Sequence, residues 1–215
     1  MASRLLGWTT VCAVEYDAFC RERLFARQRD GVLETFPIWD DVRTFNGRPW
    51  RGTVDLVSGG FPCQAFSTAA RGRNNAPDLW PEMLRIVREV QPRFVFGENV
   101  QKYPIERAAQ HLTEAGYEAR FMQLSAADLG APIRRARWWV AGFAHDQGEP
   151  VGAEHAKMAE LPCARPSVWD KLPGDGIRVS NGLASRVGRL RAAGNGQVPA
   201  VAAAAWRLLS EGWPQ

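Results

Sequence analysis

The chain is poor in the residues that hold metal ions or cross-link a fold. Among its 215 residues there are four cysteines and three histidines, and no two cysteines have a Cys-x-x-Cys spacing. This argues against a structural zinc site and against a disulfide scaffold, and we expect no metal. The histidines, His111, His145 and His155, are scattered and are expected to be ordinary surface or capping residues.

Long apolar runs are also missing. Hydrophobic residues make up 46% and charged residues 23% of the sequence, which is ordinary for a globular protein. No run approaches the length of a membrane span, and the first residues soon meet Glu15 and Asp17, unlike a secretory signal. We therefore expect one α/β domain with a small appendage, located in the cytoplasm and with no membrane partner.

Positive charge is the feature in modest excess. The formal net charge is +4 and the pI is near 9.1, which allows a polyanionic partner without requiring one. The distribution of arginines is more informative than their number, because they crowd three parts of the chain: Arg71 and Arg73; Arg134, Arg135 and Arg137; and Arg178, Arg186, Arg189 and Arg191. Such runs are often only solvated faces, but these flank the segments that carry the candidate chemistry.

The most informative stretch is Asp55-Leu-Val-Ser-Gly-Gly-Phe-Pro-Cys-Gln-Ala-Phe-Ser67. A short apolar strand is predicted over Val54 to Ser58, Gly59 and Gly60 are predicted to form a tight turn, and Pro62 stiffens the backbone before Cys63. A free cysteine is usually a packing residue. This setting instead favours a nucleophile.

Strand-like and helix-like segments alternate along the chain, which is the rhythm of a doubly wound α/β fold with a mainly parallel sheet. The last two strands resemble a hairpin. Strands are predicted over Thr9–Val14, Phe36–Trp39, Val54–Ser58, Arg93–Phe96, Phe121–Ser125 and Trp138–Phe143; helices, the first of them amphipathic, over Ala18–Gln28, Trp80–Val90, Ile105–Ala115 and Pro199–Leu209.

Polar candidates follow the predicted strands. Glu15 follows the first strand, Asp41 the second, Cys63 the third and Glu98 the fourth. In parallel sheets ligands bind beyond the carboxyl ends of the strands. These four side chains are therefore expected at the same edge of the sheet.

Composition divides the chain into three parts. Residues 1–145 are predicted to form the α/β domain that carries Cys63 and the polar residues at the sheet edge. Residues 146–185 are rich in proline, glycine and mixed charge and are predicted to form a short loop-rich insert, and residues 186–215 return to the first part.

Four motifs, in order, resemble the DNA (cytosine-5)-methyltransferases. They are Pro62-Cys63-Gln64, Glu98-Asn99-Val100, Arg134-Arg135-Ala136-Arg137 and Gly194-Asn195-Gly196-Gln197-Val198-Pro199. The resemblance implies an S-adenosylmethionine-dependent methyltransferase of the bacterial or phage type with a Rossmann-like fold. It also implies that the insert at 146–185 stands in the place of the region that recognises the target sequence.

The resemblance implies roles for the catalytic residues. Cys63 would add to C6 of a cytosine flipped out of double-stranded DNA, so that C5 accepts the methyl group. Glu98 would bind the Watson–Crick edge of the base, Arg137 its carbonyl oxygen, and Arg135 would support the site. The alternative for Glu98 is that it caps a helix beginning near Lys102.

The resemblance also implies binding residues. S-adenosylmethionine would contact Glu15 through its ribose and Tyr16 through its adenine, with further contacts from Asp41, Val42, Pro62, Leu79 and Asn195. Val42 and Leu79 are equally compatible with packing roles. DNA contacts are assigned to Gln64, Ser67, Arg71, Arg73, Arg186 and Arg189.

The sequence departs from the family pattern at three places. Ile133 stands where glutamine or histidine is frequent, Gln197 where an apolar residue is more usual, and nothing before Gly7 supplies the family's first strand and glycine-rich cofactor turn. We therefore expect a chain that lacks a central strand, with the gap closed by direct pairing of the neighbouring strands, by an N-terminal segment or by a second chain. The alternatives are an inactive or split fragment that only binds DNA, and, more distantly, a thiol enzyme pairing Cys63 with His111 or His145.

Overall fold

The computed structural model describes residues 2–62, 77–145 and 196–214. Strands and helices alternate in these segments, which confirms the α/β class. The helices are α1 (Ala2–Leu5), α2 (Ala18–Arg29), α3 (Trp80–Val90), α4 (Lys102–Glu114) and α5 (Pro199–Leu209), with short 3₁₀ turns at Arg48–Trp50 and Ala127–Leu129; the strands are β1 (Ala13–Val14), β2 (Ile38–Trp39), β3 (Leu56–Gly60), β4 (Phe94–Asn99), β5 (Glu118–Leu124) and β6 (Arg137–Phe143).

The strands form two sheets. A two-stranded sheet pairs β1 with β2 in parallel, and a four-stranded sheet has the order β3-β4-β6-β5. Strands β3 and β4 are parallel, whereas β6 is antiparallel to both of its neighbours. The antiparallel β5–β6 pair is the predicted hairpin, inserted so that β6 lies beside β4. The four-stranded sheet is therefore mixed.

Helices cover both faces of the four-stranded sheet. On one face α5 packs against Phe94, Phe96 and Trp139, and the Trp206 ring of α5 meets the Phe96 ring edge-on at 5.4 Å between centroids. On the other face α3 and α4 pack against Val95, which alternates with its neighbours along β4. This alternation buries β4 on both sides and fixes the strand that carries Glu98 in the centre of the fold.

Helix boundaries follow local chemistry closely. Both α3 and α5 have the predicted bounds, and each has a proline in its first turn, where the missing N–H costs nothing. Helix α2 begins after Asp17, whose side chain accepts a hydrogen bond from the Cys20 amide. None of its residues is buried, so the predicted amphipathic face has no core contact. Helix α4 begins at Lys102, before the predicted start.

Strand boundaries differ more from the prediction. Gly59 and Gly60 are the last residues of β3, opposite Gly97 and Glu98, and the predicted tight turn there is wrong. Neither glycine has a positive φ; they allow neighbouring side chains to approach closely. Strand β4 extends through Asn99, so Glu98 lies within the strand rather than after it.

The other strands are also shifted. Strand β1 is limited to Ala13–Val14 because only these residues pair with β2, which is itself shorter than predicted. Strand β5 begins earlier than predicted, at Glu118, because its whole length pairs with β6.

The predicted insert at 146–185 lies outside the described residues, and α5 is the described part of the C-terminal segment. No helix in the described part of the chain is both long and apolar enough to cross a membrane.

Candidate active site

Glu98 is a buried carboxyl group at the carboxyl-terminal end of β4, with only 8% of its surface exposed. Its Oε1 lies 2.9 Å from the Nε of Arg137, at the start of β6. Its Oε2 accepts a hydrogen bond from the Nε2 of Gln197 at 3.2 Å, from the segment before α5. Three separate elements therefore converge on one carboxyl group.

Burial raises the pKa of Glu98 above its ordinary value, because a carboxylate loses hydration inside the protein. The hydrogen bond from Gln197 and the charges of Arg137 and Arg135 oppose this rise without cancelling it. The uncharged acid therefore persists to a higher pH than for an exposed glutamate. A carboxyl group in that state can donate a hydrogen bond.

Arg135 connects two sides of the site. Its guanidinium donates a hydrogen bond to the carbonyl oxygen of Gly196, the residue before Gln197. Burial and the nearby charge of Arg137 lower the pKa of Arg135. The loop before β6 is therefore attached to the segment before α5, and a second cation is kept near Glu98. Arg137 also donates from Nη1 to the carbonyl oxygen of Ala136 at 2.9 Å.

Gly60 makes room for the carboxyl group. A Cβ atom at this position would lie 3.0 Å from Oε2 of Glu98 and 3.3 Å from Nε2 of Gln197. Both contacts are tighter than ordinary van der Waals packing. The glycine at the end of β3 therefore permits the contact between β4 and the segment before α5.

Asn99 links the strand of Glu98 to the approach to Cys63. Its buried side chain donates from Nδ2 to the carbonyl oxygen of Phe61 at 3.0 Å, and its Oδ1 accepts from the amide of Gln101. Phe61 is followed by the partly buried Pro62 and then by Cys63, which lies outside the described residues. The backbone leading to the cysteine is thus held by the strand that carries the acid.

The capping role considered for Glu98 is wrong. Helix α4 begins at Lys102, and its N-cap is Gln101, with no side-chain capping hydrogen bond. The carboxyl group of Glu98 is instead directed to Arg137 and Gln197.

The two histidines of the thiol-enzyme alternative have other partners. The Nδ1 of His111 accepts a hydrogen bond from Nε1 of the fully buried Trp80, and Nε2 of His145 lies 3.1 Å from Oε2 of Glu118. These contacts belong to the core and to the outer strand of the sheet. They give no support to a cysteine–histidine pair.

A second group of polar side chains follows the two-stranded sheet. Glu15 comes directly after β1, and its Oε1 accepts a hydrogen bond from the Asp17 amide at 2.8 Å. The neighbouring Tyr16 has 72% of its surface exposed, and the Arg43 guanidinium lies 5.9 Å from the centre of its ring. The Tyr16 ring is accessible for stacking.

Asp41 follows β2, so its carboxylate comes at the same edge as that of Glu15. The Nε and Nη2 of Arg43 bind both of its oxygens, at 2.6 Å for the shortest contact. These hydrogen bonds from Arg43 lower the pKa of Asp41, so the carboxylate is ionised. The Asp41 carboxylate at the edge of the two-stranded sheet is therefore a hydrogen-bond acceptor held in a fixed position.

Arg85 of α3 holds this loop in place. Its guanidinium donates to the carbonyl oxygens of Val42 and Phe45 at 2.8 and 2.9 Å, and it also pairs with Glu82 and Glu89. The position of Asp41 and Val42 thus depends on an arginine of the neighbouring helix. Sequence reasoning missed this residue, because nothing along the chain links position 85 to the loop.

The remaining predicted residues are placed as follows. Leu79 is the partly buried N-cap of α3, and its carbonyl oxygen accepts a hydrogen bond from the amide of Met83. Several predicted residues lie outside the described segments: Cys63, Gln64, Ser67, Arg71, Arg73, Arg186, Arg189 and Asn195.

The structure brings together Glu98, Arg135 and Arg137 as the sequence predicted, and it adds Asn99 and Gln197. Asn99 and Gln197 each lie in one of the four motifs, but the sequence does not indicate which groups their side chains contact. In residues 2–62, 77–145 and 196–214, no three histidine, cysteine, aspartate or glutamate side chains are grouped as metal ligands.

Several known proteins are similar to the chain in sequence. A family model described as C-5 cytosine-specific DNA methylase matches residues 2–184. The chain is 36% identical over 141 residues to the type II methyltransferase M.NgoMIV of Neisseria gonorrhoeae, covering 61% of this chain and 43% of that protein. It is 32% identical over 102 residues to the type II methyltransferase M.HhaI of Haemophilus parahaemolyticus, covering 43% and 31%.

Solved structures show the same fold. The crystal structure of the S. pombe Dnmt2 methyltransferase matches with a TM-score of 0.51 and 20% identity, covering 74% of this chain and 55% of that one. The chain spans less than half the length of the two curated relatives named above.

Proposed function

The chain belongs to the C-5 cytosine-specific DNA methylase family, and on that premise we propose that it methylates C5 of cytosine in double-stranded DNA. The observation that carries the proposal is the buried Glu98–Arg137 pair at the end of β4. A duplex hides the reacting atoms of cytosine, so the base has to be rotated out of the stack to reach a buried acid.

Glu98 and Arg137 suit the flipped base. The raised pKa of Glu98 supports a protonated acid that donates to N3 of cytosine and also accepts from its amino group. The guanidinium of Arg137 has donors beyond the one directed to Glu98, and these can bind the cytosine carbonyl oxygen. Arg135 keeps positive charge beside the pair. The base would then be recognised along its whole Watson–Crick edge.

Cys63 is proposed as the nucleophile. Its thiolate forms a bond to C6, and the electron pair of the C5–C6 double bond moves toward N3, where Glu98 supplies the proton. C5 can then take the methyl group. Loss of the C5 proton to a base, release of the thiolate and return of the N3 proton to Glu98 restore the ring. The hydrogen bond from Asn99 to Phe61 supports this role, because it fixes the backbone just before the cysteine.

S-adenosylmethionine is proposed as the cofactor, and it supplies the methyl group when bound. The residues at the edge of the two-stranded sheet fit such a molecule: Glu15 and Asp41 are acceptors for ribose hydroxyls and the adenine amino group, and Tyr16 offers an exposed ring. Val42, Pro62, Leu79 and Asn195 are proposed as further contacts. For the DNA, contacts from Gln64, Ser67, Arg71, Arg73, Arg186 and Arg189 remain predictions.

A completing strand is proposed for the space beside the cofactor residues. Among the described residues, β1 pairs only with β2, and β3 pairs only with β4 in the sheet. An edge with unpaired backbone groups accepts a further strand. We propose that an additional segment or a second chain pairs there and raises the affinity for S-adenosylmethionine. Calorimetry measures the affinity of the chain for S-adenosylmethionine with and without peptides designed to pair as a strand beside β1 or β3. An affinity that none of these peptides changes would contradict the idea.

The test of the proposed function is genomic. The 215-residue chain is expressed in a bacterial host that lacks cytosine methylation, and genomic DNA is analysed by bisulfite sequencing. We expect 5-methylcytosine in a defined sequence context with the wild-type chain, and none with Cys63→Ser or Glu98→Gln. Methylation that survives Cys63→Ser would contradict the proposal. The inactive-remnant alternative predicts no methylation in any sample, and the intact Glu98–Arg137 pair argues against it.

A further inference from the structure

Gln197 is not explained by the proposed reaction, although it makes a direct contact with the acid. Its Nε2 donates to Oε2 of Glu98 at 3.2 Å, across ninety-nine positions of sequence. Arg137 binds the other oxygen, Oε1. The two oxygens of the carboxyl group therefore have different partners, one charged and one uncharged.

We propose that Gln197 is a positioning residue that follows Glu98 through its protonation cycle, and this inference rests on the proposed function. A primary amide has a donor and an acceptor at similar distances from its backbone. With Nε2 toward Glu98, it stabilises the carboxylate. Rotated by half a turn about its last bond, it presents Oε1 and accepts the proton of the neutral acid. Neither an apolar residue nor a cation at this position could do both.

The geometry fixes Gln197 for this role. The carbonyl oxygen of the preceding residue, Gly196, accepts a hydrogen bond from Arg135. The following residue, Val198, is the N-cap of α5, whose side chains are largely buried in the core. Gly60 leaves space on the third side, since a Cβ there would press on both partners. The backbone of Gln197 is thus held on both sides, and its amide is directed at Glu98.

Charged groups face Glu98 from the elements packed on it. Among the described residues these are Arg137 from β6 and Arg135 from the loop before it, and β3 contributes only Gly60. Both cations favour the carboxylate. Gln197 is the uncharged group in this set that can also stabilise the neutral acid.

The test measures Glu98 directly. In the full chain labelled with ¹³C-glutamate, the carboxyl resonance missing from Glu98→Gln identifies Glu98, and its titration is followed by NMR. Gln197→Met removes the donor at similar length and is expected to move the pKa of Glu98 upward. Gln197→Asn, too short to reach, is expected to do the same and replaces the first variant if that does not fold. Gln110→Met changes an exposed glutamine of α4 and is expected to leave the titration unchanged.

A kinetic measurement separates positioning from packing. If the protonated acid is the active form, methyl transfer by Gln197→Met persists to a higher pH on the alkaline side than in the wild-type chain. A merely structural role would lower the rate at every pH without moving this limb. An unmoved Glu98 titration in both variants would overturn the inference and leave the proposed function standing. A moved titration with no methylation by the wild-type chain would instead overturn the proposed function.

Discussion

The Nδ2 of Asn99 donates a hydrogen bond to the carbonyl oxygen of Phe61, at 3.0 Å and away from solvent. Through this contact the central strand that ends in the acid holds the backbone that leads to the proposed nucleophile. The segment that leads to Cys63 and the motif that carries Glu98 are far apart in the sequence, and this hydrogen bond joins them.

Replacing Asn99 tests that connection. In Asn99→Ala the buried carbonyl oxygen of Phe61 loses its donor, and the free energy of unfolding is expected to fall by about 1–3 kcal/mol. Methylation is expected to fall further than stability explains, because Cys63 is no longer held in position. Denaturant unfolding and single-turnover methylation measure the two effects. Asn46→Ala removes an exposed asparagine and serves as the control, and an equal loss in both variants would contradict the connection.

The parts of the fold that local chemistry determines could be predicted from the sequence. The bounds of α3 and α5 follow from a proline in the first turn and from apolar periodicity. The sequence predicts a turn at Gly59 and Gly60, whereas in the structure both glycines lie in β3 and allow close packing against Met83 and Glu98.

Contacts between segments that are distant in the sequence could not be predicted. The motifs assigned Glu98 and Arg137 to the same base, but their direct ion pair was not predicted. The contacts of Arg85 and Gln197 join segments about forty and one hundred positions apart, respectively. No local pattern encodes such a distance. They arise only when α3 and α5 pack against their neighbours.

Gly60 provides a test of the space around the acid. In Gly60→Ala the new Cβ would crowd Glu98 and Gln197, and we expect methylation to fall by about 10- to 100-fold with the fold retained. Gly59→Ala is a matched control in the same strand, because its Cβ would meet the flexible end of Met83 instead. Circular dichroism checks folding. Similar activity of the two variants would argue against a crowded acid.

The pH dependence of stability tests the state of Glu98. Burial raises its pKa above the ordinary value of 4.5, so the folded chain holds this proton more tightly than the unfolded chain. The contribution of Glu98 to stability is therefore present at low pH and is lost as pH rises from 4.5 through the raised pKa. Unfolding of the wild-type chain and of Glu98→Gln is compared over a pH series. We expect the wild-type chain to lose stability relative to the variant as pH rises, and a constant difference would contradict the assignment.

Arg85 tests the cofactor edge. In Arg85→Ala the carbonyl oxygens of Val42 and Phe45 lose their donor, so the loop that carries Asp41 is released from α3. We expect the affinity for S-adenosylmethionine to fall about tenfold, which corresponds to about 1.4 kcal/mol. Isothermal calorimetry measures it, with Arg88→Ala as an exposed control on the same helix. An unchanged affinity for S-adenosylmethionine in Arg85→Ala would contradict a role of this loop in binding the cofactor.

The central claim is that this chain brings a cysteine thiolate to C6 of a cytosine and a methyl group to C5. Its most direct measurement is covalent trapping on a pool of duplexes containing 5-fluorocytosine, where fluorine at C5 prevents release after methyl transfer. With saturating S-adenosylmethionine, we expect mass spectrometry to find one DNA adduct on the wild-type chain, located at Cys63, and none on Cys63→Ser. An adduct on Cys63→Ser, or no adduct on the wild-type chain, would contradict the account.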